Sequence, residues 1–143
     1  MKKIVILFAL FVALIAGGCS TLQLQPADFS WVTEEILDVT NDGMVAAQRY
    51  SVEFNVKPLL AKEFAADSMA AKNTKTVRLI RDKAGFYYVT GPKFKNVYVF
   101  AQAEGSLSLS NTIVISPEKA MDDPKFNQRN NYVELINETV NFN

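Results

Sequence analysis

Ser116 and Lys119 stand three residues apart in Ser116-Pro117-Glu118-Lys119, a spacing at which a lysine amine takes the proton of a serine hydroxyl and leaves it nucleophilic. The companion motifs of such a serine, K-T-G and S-D-N, are not in the chain. The same four residues also make an ordinary turn or helix start, with a hydroxyl cap, a proline at the first position and an acid at the dipole's positive end. Acids cluster twice. Glu34, Glu35 and Asp38 are carboxylates of the kind a glycosidase pairs, and Asp122 and Asp123, with Glu118, are hard oxygen ligands of the kind calcium takes. Asp38 to Gly43 places glycine sixth, as a calcium loop does, yet the twelfth residue, where a bidentate Glu is needed, is Arg49. A turn is therefore expected there. The chain has no histidine, which removes the commonest general base near neutral pH and the commonest metal ligand. No catalytic residue, metal ligand or cofactor is assigned, and the expectation is that the protein is not an enzyme.

One residue type remains, and it occurs once. Cys19 follows Lys2 and Lys3, an apolar run from Ile4 to Ile15, and the small residues Ala16, Gly17 and Gly18. That is the layout of a signal peptide, and twelve apolar residues fall short of the roughly 20 that span a bilayer as a helix. The Ala16-Gly17-Gly18-Cys19 junction resembles the lipobox of bacterial lipoproteins, although the place that family usually fills with Leu holds Ala16. The resemblance covers the first 20 residues and implies that Cys19 is acylated on sulfur and becomes the mature N-terminus. It also implies that Ser20, standing where an inner-membrane retention signal would put Asp, directs the chain to the outer membrane. The organisation expected is a signal peptide over 1–18, a lipidated N-terminus and tether over 19–29, and a single β domain over 30–143. With Lys2 and Lys3 removed, 13 basic residues face 15 acidic ones, so nothing favours nucleic acid as a partner. Acylation of the sole thiol leaves none for a disulfide, a zinc site or thiol catalysis.

Beyond the tether the dominant pattern has a period of two residues, the mark of strands with one face in a core. Tyr50, Val52, Phe54 and Val56 alternate with polar neighbours, and Pro58 ends that strand. Ile36 to Val39 reads as a strand, with Asn41-Asp42-Gly43 turning the chain into a hairpin at Met44. Val77 to Arg81 and Phe86 to Thr90 flank Asp82-Lys83-Ala84-Gly85, a second hairpin. Strands follow over Lys95 to Ala101, Ser106 to Ile115 and Val133 to Phe142. Leu59 to Lys72 reads as a short helix or an irregular excursion. About seven strands at hairpin spacing predict an all-β fold, a small antiparallel β-sandwich of which the immunoglobulin type is one form, with a small β-barrel as the alternative.

Two surfaces emerge from this arrangement. Phe94, Tyr98 and Phe100 put aromatics on one side of one strand, as Phe86 and Tyr88 do on the strand before it. Paired, they would make a patch for a sugar, an apolar ligand or a protein, while the plainer reading is that they fill the core. Residues 72 to 95 carry seven basic side chains against Asp82 alone. Lys75, Arg78, Arg81, Lys83, Lys93 and Lys95 are the candidate anion-binding set, for lipid headgroups, lipopolysaccharide or an acidic partner; paired with the chain's own carboxylates, they would bind nothing. The function expected is a lipid-anchored cell-envelope protein serving as a binding or assembly module. Its partners are the membrane, through the lipid, and another envelope protein or an anionic surface polymer. The alternatives are a carrier holding an apolar ligand in a barrel, and a small hydrolase.

Overall fold

Alternation sets the central sheet. In the computed structural model of the protein, which describes residues 33–137, the strands are β1 (Glu35–Asp38), β2 (Met44–Ala47), β3 (Val52–Asn55), β4 (Thr76–Arg81), β5 (Tyr87–Thr90), β6 (Asn96–Ala103), β7 (Ser106–Val114), β8 (Pro124–Gln128) and β9 (Val133–Asn137). Two short helices, α1 (Lys57–Glu63) and α2 (Ser68–Asn73), connect β3 to β4. Five strands form one antiparallel sheet in the order β1-β4-β5-β6-β7, and β2-β3 and β8-β9 are separate hairpins. The expected leader, Cys19, the tether and the final residues of the last expected strand lie outside the described residues.

Val77 and Leu79 on β4, Tyr87 and Val89 on β5, and Tyr98 on β6 share one face of this sheet. There they pack with Val45 of β2, with Val56, and with Leu60 of α1. The opposite face brings Ile80 and Val97 against Phe126 of β8. Each such side chain taken from water contributes roughly 1.5–3 kcal/mol, so both faces of the middle sheet gain from being covered. The result is sandwich-like, a sheet between one hairpin with its helix and a second hairpin. The barrel alternative is overturned: β1 and β7 remain at opposite edges and do not pair.

Three other expectations change, and one pair of alternatives is decided. Asn41-Asp42-Gly43 does turn the chain, with the Gly43 amide donating to the Thr40 carbonyl at 2.8 Å and Gly43 at φ +79°. It joins strands of different sheets, however, because β1 pairs with β4 (Ile36 opposite Arg78) while β2 pairs with β3. The excursion over 59–72 is two helices. Pro58 lies in the first turn of α1, so the proline that ends a strand also begins a helix, and Asp67 caps α2 by accepting from the amides of Met69 and Ala70. A strand not anticipated, β8, runs from Pro124 to Gln128. Of the turn and the helix start read at Ser116, the turn forms: its Oγ accepts from the Lys119 amide at 3.2 Å.

Candidate interaction surface

The basic residues of 72–95 do not converge. Arg78 does project opposite Val77 and Leu79, as the alternation requires, but that side is covered. Its Nη1 meets Glu34 Oε1 at 2.6 Å and its Nη2 meets Asp123 Oδ1 at 2.8 Å, leaving the side chain 11% exposed and that of Glu34 8%. Lys93 pairs with Asp122, Lys95 Nζ donates to the Pro117 carbonyl, and Lys83 Nζ donates to the Asn130 carbonyl. Arg81 lies over the Tyr87 ring at 5.3 Å, and Lys75 stands apart, beside α2 and the turn after β1. The segment that follows β7 supplies acceptors for Arg78, Lys93 and Lys95, so half the cluster serves as internal staples. Burial raises the Asp123 carboxyl, but the hydrogen bonds from Arg78 and Lys125 outweigh it and hold the group below its ordinary range.

The aromatic set divides as well. Phe94 and Tyr98 are buried in the core, ring against ring edge at 6.3 Å, and Phe64 of the α1–α2 connection meets Phe94 in the same way at 5.5 Å. The Tyr98 hydroxyl donates to Glu63 Oε2 at 2.7 Å, while Asn96 Nδ2 and the Lys95 amide donate to the same carboxylate. One glutamate thus fastens the end of α1 to the start of β6, and burial together with that bond pushes the Tyr98 phenol well above its ordinary value. Tyr88 faces the other way, with Ile80 and Val97, and donates to Asp82. Phe86 is partly exposed just before β5 begins, and Phe100 is half-buried beside the core. The core reading of the aromatics therefore describes Phe94 and Tyr98, and no shared aromatic face forms.

Four of the acids singled out for chemistry are likewise engaged in structure. Glu34 bridges Arg78 and the Phe126 amide, Glu35 Oε1 accepts from the Arg49 amide, and Asp122 and Asp123 hold Lys93, Arg78 and Lys125. Among the described residues no group of three acids gathers as a metal cage, and no helix is long and apolar enough to cross a membrane.

What stands open is the β7 edge. Among the described residues only β6 pairs with it, so the outer side of Ser106–Val114 presents amides and carbonyls to no other strand, with the Thr112 amide donating instead to the Asn111 side-chain oxygen at 2.8 Å. The strand is mostly exposed and carries no charge from Ser106 to Ser116. Its register against β6 slips between Val99 and Phe100: Asn111 is opposite Val99 and Leu109 opposite Phe100, so Ser110 is a bulge residue. The ladder therefore places Leu107, Leu109, Thr112 and Val114 on the face that Tyr98 shares, and Ser108, Asn111 and Ile113 on the other. Leu109 is 45% exposed, Val114 61% and Ile113 39%. Beside Leu107 and Leu109 opens an apolar groove of about 360 Å³, walled by Phe54, Pro58, Leu59 and Phe100. Lys62 also lines it, 5.7 Å from the Tyr98 ring centre. The sequence holds a readable signal for this edge, ten residues of strand pattern with no charged residue, but which strand lies at an edge depends on pairing that no single segment encodes. Compared with protein-family models, with curated proteins and with solved structures, the chain matches none.

Proposed function

We propose that this chain is a lipid-anchored protein of the cell envelope, held to the outer membrane through Cys19, and that it works by binding another protein along β7 rather than by catalysis. The observation that carries the reading is the long, uncharged edge strand of a five-stranded sheet, paired on one side alone among the described residues. Edge strands in monomeric proteins are commonly blunted by charge, by proline or by a covering element. β7 has neither charge nor proline over its nine residues, and strand addition at such an edge supplies main-chain hydrogen bonds, with alternate side chains giving selectivity. The groove beside Leu109 would receive those side chains on one face. The engagement of Ser116 in a turn and of Glu34, Asp122 and Asp123 in ion pairs supports a non-enzymatic role.

A photoreactive residue placed at Asn111 in the full chain, in intact cells, tests this against the same residue at the exposed Glu53 of β3. The expected result is an adduct from position 111 alone, abolished when Leu109→Lys and Ile113→Lys charge both faces of the strand. Equal adducts from both positions, or an adduct indifferent to the two lysines, would remove β7 as the docking edge.

A further inference from the structure

We infer that the occupant of β7 is a second copy of this chain, whose own β7 adds antiparallel across a two-fold axis so that two five-stranded sheets join into one; this rests on the edge reading above and names its partner. Three observations converge on it. Apolar side chains are exposed on both faces of β7, Leu109 and Val114 on one and Ile113 on the other. A ligand or a domain packed on the sheet covers one face only, whereas an added strand flanks both.

The second observation is charge. A two-fold axis sets a strand against itself, so any charged residue on it risks meeting its own kind, and like charges directly opposite destabilise a ladder. From Ser106 to Ser116 there is none. The nearest charges, Glu104 and Glu118, flank opposite ends of the strand.

The third is face matching. Residues opposite each other across a ladder must share a face, and the bulge at Ser110 moves the faces out of simple alternation. An axis between Ser110 and Asn111 satisfies the three pairs on either side of it. It sets Leu107 against the second copy's Val114, Leu109 against its Thr112, and Ser108 against its Ile113. The two most exposed apolar residues of one face, Leu109 and Val114, thereby gain cover from the other copy, and the groove beside Leu109 is closed along one side.

Cysteines at Ser108 and Ile113 in the full chain, in its own membrane, decide the matter. Within one chain these positions are five residues apart on an extended strand, roughly 15 Å, well beyond the reach of a disulfide. In the proposed pair each faces the other's partner. Mild oxidation should therefore give a covalent dimer from the Ser108→Cys, Ile113→Cys chain and none from either single variant, whose cysteines lie far from their own copies. No dimer from the double variant, or equal dimer from the singles, overturns the inference. If the double variant stays monomeric while the Asn111 photoprobe still gives its lysine-sensitive adduct, the partner is a different protein and only the second-copy inference falls. If both fail, the edge reading falls with it.

Discussion

Arg78 shows how differently one residue reads before and after its neighbours are known. By spacing it belongs to a basic hairpin facing water; in the fold it joins three parts of the chain, since Glu34 takes its Nη1 and the Phe126 amide, while Asp123 takes its Nη2. The Arg78–Glu34 pair is largely desolvated, with exposures of 11% and 8%, and removing one partner of such a pair strands the other charge at a cost of about 3–5 kcal/mol. Arg78→Met is therefore expected to lower the unfolding free energy of the full chain, read by urea titration, by an amount in that range. Adding Glu34→Gln should restore part of the loss, because the amide carbonyl still accepts from Phe126 and no buried charge is left. A double variant less stable than Arg78→Met alone would show that the carboxylate earns its place through Phe126 and Asp123's neighbourhood rather than through Arg78. Lys93, by contrast, is 65% exposed against Asp122, and its ion pair is screened.

At the scale of elements, turns carry as much information as strands. Gly43 closes the Thr40–Met44 turn at φ +79°, a region that costs a side chain about 1 kcal/mol, and a Cβ there would also collide with Lys57 Cγ. Gly43→Ala should destabilise the chain by about 1–2 kcal/mol, more than Gly105→Ala, where φ is also +79° but no atom lies within 4 Å of the added carbon. Equal losses in a denaturant titration would mean that backbone conformation alone matters at Gly43. The same contrast explains what was legible. β4, β5, β6 and β7 carry alternating β-branched or aromatic residues and glycine turns, and were readable as strands. β8 escaped because Pro124-Lys125-Phe126-Asn127-Gln128 holds a single large apolar residue, buried only because Ile80 and Val97 face it. α1 has no side-chain cap, its N-cap being Val56, so nothing but Pro58 marked its start. The candidate sites were harder still. That Tyr87 is opposite Phe100 while Tyr88 is opposite Val99 decides which aromatics are core, and register of that kind is set by partners far away in sequence.

For the whole molecule, the proposed anchor and the proposed edge contact bear on one another. A ladder between two nine-residue strands is a narrow interface, with few side chains from each copy, and falls at the small end of specific protein contacts. In free solution such a contact is expected to be weak. If the proposed anchor holds, two copies on one membrane surface would meet at an effective concentration that can raise apparent association by about 10²–10⁴ without any new contact. Cys19→Ala should then do two separable things. It should abolish labelling of the chain by a fatty-acid analogue, which tests the lipid directly. It should also lower the yield of the Ser108→Cys, Ile113→Cys disulfide dimer by at least about tenfold at equal expression, because the copies now meet only in bulk. Labelling that persists in Cys19→Ala would refute lipidation at that residue. Labelling lost with the dimer yield unchanged would leave the anchor in place and show that the edges associate by their own affinity, so that Leu109, Ile113 and Val114 contribute more to pairing than so narrow a ladder is expected to provide.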